Sequence, residues 1–161
     1  MGKRLLITGG CGFIGTNLAD HFASRGSDVT VLDNLSRRGS IKNMEYLQQK
    51  HSNISFVHAD IRTDLKTLSK EIASTDAILH FASQVAVTTS WENPREDFDI
   101  NATGTLNILE AIRSQNVNPA LLYASTNKVY GGMEDISVSL ANNRYIYNDL
   151  PEGIPETRLL D

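Results

Sequence analysis

The chain has 161 residues, 40% of them hydrophobic and 21% charged, the balance of one folded domain with a sizeable core. A net charge of −4 and scattered Lys and Arg residues leave no basic surface for nucleic acid, and no apolar run is long enough for a membrane span. The single cysteine, Cys11, excludes a disulfide framework and a cysteine zinc site. The charged start at Lys3-Arg4 is followed by an apolar stretch that glycines cut short, which is not a signal peptide, so we expect a cytoplasmic location.

In chain order, Leu5-Leu6-Ile7 reads as a first strand. It enters Thr8-Gly9-Gly10-Cys11-Gly12-Phe13-Ile14-Gly15, and Ile14, Leu18 and Phe22 then recur at helical spacing up to Arg25-Gly26. Strand, glycine-rich turn and helix are the parts that hold a dinucleotide pyrophosphate. Glycines let the backbone turn sharply, and the unpaired N–H groups of the new helix attract negative charge. Both G-x-G-x-x-G (Gly10, Gly12, Gly15) and G-x-x-G-x-x-G (Gly9, Gly12, Gly15) fit. Cys11 lies within the turn, where a small residue packs. The second strand, Val29 to Asp33, puts an acid 18 residues beyond Gly15, where adenosine ribose hydroxyls would be held.

A polar loop from Asn34 to Gly39 leads to a helix carrying Ile41, Met44 and Leu47. A third strand, Ile54 to His58, delivers Asp60-Ile61. Thr63 is the expected cap of a helix burying Leu65, Leu68 and Ile72. A fourth strand, Ala77 to Phe81, ends in Ala82-Ser83-Gln84. Asn93 and Pro94 open a helix with Phe98, Ala102, Leu106 and Leu109 along one side, ending near Asn116. The fifth strand, Ala120 to Ala124, delivers Ser125-Thr126-Asn127-Lys128. Beyond Gly131-Gly132 the periodicity fades. Alternating strands and helices imply an α/β fold: a doubly wound, Rossmann-type parallel sheet with helices on both faces and its ligands at the carboxyl ends of the strands. Residues 1–135 are the expected dinucleotide-binding domain. Residues 136–161 read as an irregular segment leading toward a catalytic helix and substrate domain that the chain does not contain.

Thr8-Gly9-x-x-Gly12-Phe13-Ile14-Gly15, Asp33-Asn34-Leu35-Ser36-Arg37, Asp60-Ile61-Arg62, His80-Phe81-Ala82, Asn101-x-x-Gly104 and Ser125-Thr126-x-x-Val129-Tyr130-Gly131 resemble the extended short-chain dehydrogenase/reductases. That family includes the nucleotide-sugar epimerases and dehydratases. Within it, the segments Gln84 to Ser90 and Ser125 to Gly131 are most similar to the CDP-tyvelose (CDP-paratose) 2-epimerases. The resemblance implies NAD as cofactor and a nucleotide sugar as substrate. Gly9, Gly12, Phe13 and Ile14 would lie along the pyrophosphate. Asp33 and Asn34 would hold the adenosine ribose, with Ser36 and Arg37 in the adjoining loop, and Asp60 and Ile61 would flank the adenine. Phe81, Ala82, Ser83 and Gln84 would line the path to the nicotinamide ribose, joined there by Asn101. Asp33 would repel the 2′-phosphate of NADP, although Arg37 and Arg38 could accommodate it. Homodimerisation is expected on the resemblance alone. The helix after Pro94 would serve as the contact or cover the sheet.

Thr126 matches the catalytic Ser/Thr of the family. The Asp-Glu pair that follows it in the dehydratases is replaced by Asn127-Lys128, which cannot perform acid–base elimination, so epimerisation or oxidoreduction is expected. The resemblance also calls for a catalytic Tyr with Lys four residues on. The one such match, Tyr46 to Lys50, stands on the helix after the second strand and reads as a solvated surface pair. The chain is therefore expected to be part of a longer enzyme, inactive by itself; the alternatives are an epimerase or reductase of another nucleotide sugar, or a truncated, non-catalytic dinucleotide-binding module.

Overall fold

The computed structural model describes residues 2–84, 86–126 and 129–158. The chain divides into two compact units, Met1–Ala124 and Ser125–Asp161. In the first, β1 (Arg4–Thr8), α1 (Phe13–Ala23), β2 (Asp28–Asp33), α2 (Ser40–Lys50), β3 (Ile54–His58), α3 (Leu65–Ile72) and β4 (Ala77–His80) alternate without interruption. Three helical pieces follow: α4 (Val87–Glu92), α5 (Pro94–Phe98) and α6 (Gly104–Ser114), the last two joined by a π-helical turn at Asp99–Thr103. Strand β5 (Ala120–Tyr123) completes a five-stranded parallel sheet in the order β3-β2-β1-β4-β5. This is the doubly wound sheet that the alternation implies.

Side chains on successive strand residues point to opposite faces, and the core divides accordingly. Leu5, Ile7, Val29, Val31 and Leu79 lie on one face with Ala19, Ala23 and Leu47 of α1 and α2. Leu6, Leu32 and Ile78 lie on the other with Leu68, Ile72, Ile108 and Ala111 of α3 and α6. The strand order reverses between β1 and β4. Connections leave there toward opposite sides of the sheet, so their loops part and open a crevice at the carboxyl ends.

Three expectations are corrected. Asp64, not Thr63, is the N-cap residue of α3, and its carboxylate accepts from the Asp60 N–H at 2.7 Å instead of capping the helix. The helix after Pro94 is not continuous. Asn93 does cap its start, accepting from the Glu96 N–H at 3.3 Å, but the π turn then interrupts the α-helical register. Phe98, Leu106 and Leu109 are 60%, 55% and 45% exposed, while Gly104, Ile108 and Ala111 face the core, so the expected apolar side does not cover the sheet.

The second unit holds an antiparallel hairpin, β6 (Val138–Ala141) and β7 (Arg144–Tyr147). Its two-residue turn, Asn142-Asn143, has φ of 51° and 61°. Two positive φ values give a turn whose twist matches that of the flanking strands, and Asn tolerates them better than most residues.

Candidate functional site

The glycine-rich turn is wedged between two strand tips. Gly9, at φ 66°, donates its N–H to the Leu32 carbonyl at 2.9 Å, and a Cβ there would come within 2.7 Å of the Phe81 carbonyl and the Ala82 nitrogen. A Cβ on Gly15 would press into the Gly9 carbonyl, so α1 can start this close to the turn only without one. Helix α1 begins at Phe13 with Gly12 as N-cap and no side-chain cap, which leaves its first N–H groups for an outside acceptor. Cys11, fully buried, has its thiol pushed up to about 12, by burial and then by Asp33. It packs and stays protonated.

The two strand-tip acids differ. Asp33 accepts from the Cys11 N–H at 3.0 Å through Oδ2 and from the Leu35 N–H at 2.8 Å through Oδ1. A carboxylate has about four acceptor sites, so further hydroxyl donors can still bind here. Asp60 is spent. Its Oδ1 accepts from the Arg62 N–H at 2.9 Å and Nε–H at 3.0 Å, and its Oδ2 from Arg62 at 2.7 Å and Asn34 Nδ2 at 3.0 Å. The Arg62 hydrogen bonds hold its carboxyl far below the usual carboxylate range.

On the β4 side, the Gln84 N–H donates to Asn101 Oδ1 at 2.9 Å, and Arg37 reaches across to donate to Gln84 Oε1. Asn101 Nδ2 donates in turn to Asp97 Oδ1 at 3.1 Å, which also accepts from the Ser90 hydroxyl at 2.7 Å. Helices α4 and α5 and the π turn are thereby tied to the loop after β4.

These pieces enclose a cavity of about 320 Å³, within the range of small-molecule sites. Gly9, Gly12, Asp33, Asn34, Ser36, Arg37, Asp60, Ile61, Phe81, Ala82, Ser83 and Gln84 all line it, so twelve residues singled out in sequence come together in space. Asn101 joins them through Gln84. Phe13 and Ile14 do not line the cavity, and their side chains are 85% and 54% exposed at the start of α1. Leu32, Ser40, Ala59, Thr89, Glu96 and Ile100 line it without having been foreseen. Leu32 and Ala59 adjoin the two acids and could have been read from them. Thr89, Glu96 and Ile100 stand on the broken helical segment, whose register no periodicity reveals. Among the described residues no cluster of His, Cys, Asp and Glu suits a metal ion, and no helix is long and apolar enough to cross a membrane.

A family model described as GDP-mannose 4,6 dehydratase matches residues 6–145. The chain belongs to that family. It falls within the extended short-chain dehydrogenase/reductases, the NAD-dependent epimerases and dehydratases. The chain is 48% identical to the CDP-paratose 2-epimerase of Salmonella typhi over 160 residues, covering 98% of this chain and 47% of that protein. Among solved structures, the dTDP-glucose 4,6-dehydratase of Streptomyces venezuelae with NAD bound matches with a TM-score of 0.72 at 32% identity, over 81% of this chain and 42% of that one. The UDP-glucose 4-epimerase of Stenotrophomonas maltophila with bound NAD gives a TM-score of 0.73 at 30% identity, over 82% and 39%. The chain thus spans 39% to 47% of the length of these three proteins.

The one Tyr-x-x-x-Lys pair of the sequence stands apart from the cavity. Lys50 Nζ donates to the Tyr46 hydroxyl at 2.8 Å and to Asp20 Oδ2 at 2.9 Å, pinning the outer surface of α2 to α1. Neither Tyr46 nor Lys50 lines the cavity. Thr126 belongs to the second unit, where it is exposed, and Asn127 and Lys128 lie outside the described residues.

Proposed function

We propose that this chain is the NAD-binding part of a nucleotide-sugar epimerase, with a CDP-paratose 2-epimerase as the specific reading. The observation that carries it is Asp33 beside the glycine turn: an acid with spare acceptor sites at the β2 tip, next to an uncapped helix start, in one cavity at the switch point. Glycine at these positions suits a dinucleotide turn, because a side chain at Gly9 would collide with the Phe81 and Ala82 backbone and one at Gly15 with the Gly9 carbonyl, displacing the turn and the start of α1.

In this reading the first-turn N–H groups of α1, with the backbone of Gly9 and Gly12 and of Phe13 and Ile14, hold the pyrophosphate. Asp33 accepts from the adenosine ribose hydroxyls, beside Asn34, Ser36 and Arg37. Because the Asp60 carboxylate is committed to Arg62 and Asn34, Asp60 and Ile61 would flank adenine as a rigid wall rather than by side-chain hydrogen bonds. Phe81 to Gln84 and Asn101 take the second ribose, and Thr126 would hydrogen-bond the sugar oxygen at the reacting carbon. When bound, the nicotinamide supplies the acceptor for a hydride from the sugar and the donor that returns it to the other face. The only Tyr-x-x-x-Lys in the sequence is the surface pair on α2, so we expect the chain alone to bind without turnover. Of assembly, the reading carries a homodimer on the resemblance alone, and of location, the cytoplasm.

Calorimetric titration of NAD and then NADP into the chain tests this. NAD binding that is at least about tenfold tighter than NADP, with the preference lost in Asp33→Ala, is expected, since a carboxylate beside the ribose opposes a 2′-phosphate. Failure to bind either nucleotide overturns the reading. Equal binding of both would overturn the role given to Asp33.

A further inference from the structure

Beneath the β4 side of the crevice lies a buried polar chain that the proposed function does not use. His80, the last residue of β4, is 2% exposed. Its Nδ1 stands 2.6 Å from the Thr8 hydroxyl, at the end of β1, and its Nε2 stands 3.0 Å from the Thr105 hydroxyl, in the first turn of α6. Thr105 is itself 2.6 Å from the Asn101 carbonyl, which can only accept. The direction of every proton follows. The Thr105 hydroxyl gives its one proton to Asn101, so it accepts from His80, and Nε2 must carry the hydrogen. Nδ1 of the neutral ring then accepts from Thr8. The Thr8 oxygen in turn faces the Ala82 N–H at 3.5 Å.

The two ends of this chain are not arbitrary. Asn101 stands inside the π turn, where the Gly104 N–H bonds to the Asp99 carbonyl five residues back rather than four. Such a turn departs from the regular α-helical ladder. The Thr105 hydroxyl ties it back to the carbonyl of Asn101, whose side chain holds the Gln84 N–H. Ala82 and Gln84 line the cavity on the β4 side, opposite Asp33. With adenosine on the Asp33 side of a switch-point crevice, the second nucleotide half falls on the β4 side.

We infer that Thr8, His80 and Thr105 form a positioning set for that second half, a directional hydrogen-bond chain that fixes the loop after β4 and the π turn. It rests on the dinucleotide reading of the cavity. Burial lowers the ring's pKa to about 4, which keeps the neutral form, and with it the direction of the chain, at working pH. None of the three residues lines the cavity, so each acts through Ala82 or Asn101.

The test compares two probes on the 161-residue chain and its Thr105→Val and Thr105→Ser variants: NAD, which spans the crevice, and 5′-AMP, which fills the adenosine half. Valine removes a half-buried, hydrogen-bonded hydroxyl at nearly constant size, so NAD affinity should fall about tenfold while 5′-AMP changes by less than about twofold. Serine keeps the hydroxyl and should restore NAD binding to within about threefold. Weakening of both probes alike in Thr105→Val, or no weakening of NAD, would overturn the inference. Independently of any variant, nitrogen-15 NMR of the wild-type ring should show the neutral Nε2–H tautomer between pH 6 and 8, and the Nδ1–H tautomer would refute the chain. Should the wild type bind neither probe, the dinucleotide reading falls and the positioning role with it. The tautomer spectrum then still separates a correct hydrogen-bond chain from a wrong one.

Discussion

Gly9 and Gly26 both hold positive φ, 66° and 81°, yet they constrain the molecule differently. A Cβ on Gly26 would meet nothing within 4 Å, so Gly26→Ala costs only the left-handed backbone penalty, about 1 kcal/mol. At Gly9 the same penalty is joined by collision with the Phe81 and Ala82 backbone, which cannot swing aside as a flexible side chain would. We expect Gly9→Ala to lower the urea midpoint further than Gly26→Ala and to weaken NAD binding by at least about tenfold, as a shifted turn misplaces several N–H groups at once. Gly26→Ala should leave affinity unchanged. Equal effects of the two substitutions on binding would show that the turn's close approach to β4 is not what shapes the site. The same contrast between look-alikes separates Asp33 from Asp60. Both are legible in sequence as strand-tip acids. That Arg62, two residues along, would consume the second carboxylate was not, because the pairing depends on the turn geometry between them.

At the level of elements, the strands and α1 to α3 are legible because each carries one uninterrupted period, although Leu65, expected on the buried face of α3, is 49% exposed. The segment after Pro94 fails for a definite reason. Phe98, Ala102, Leu106 and Leu109 form a stripe only if every turn between them is α-helical, and the π turn inserts an extra residue that rotates α6 relative to α5. The residues that pack are Gly104, whose added Cβ would run into the Ile61 side chain, with Ile108 and Ala111 in the core shared with α3. Ile108→Ala should therefore cost about 3 kcal/mol in chemical denaturation, as expected for a large buried aliphatic side chain. Leu106→Ala should cost less than about 0.5 kcal/mol. The reverse ranking would restore the stripe read from sequence. The hairpin of the second unit escaped for a different reason. Val138 to Tyr147 alternates only weakly, and Asn-Asn is a poorer turn signal than Asn-Gly, although the paired Asn residues were visible.

For the whole first unit, the sheet's two faces are separable by counting alternate residues in β1 and β2, and the crevice follows from the topology. The buried polar link between the strands and α6, on the sheet face that α6 covers, does not. His80 looks like any strand residue, and only the fold reveals that Thr8 and Thr105 close around it. That burial has a consequence for the stability of the entire unit, since β1, β4 and α6 meet at this ring. The folded-state pKa is lowered from 6.5 to about 4, so below pH 6.5 the unfolded chain binds a proton that the folded chain refuses. Stability from this group is full above pH 6.5, declines as pH falls, and by pH 4 is reduced by about 3 kcal/mol. Asp60 acts in a separate window. Its lowered pKa contributes stability above the unfolded carboxylate value, about 3.9, and loses it only at more acid pH. Urea midpoints between pH 7 and 4.5 should therefore fall in the wild type and fall less steeply in His80→Gln, which cannot be protonated, whatever its stability at pH 7. Parallel pH profiles for the two proteins would mean that His80 titrates alike in the folded and unfolded chains, and the buried neutral ring would then be the wrong description of this junction.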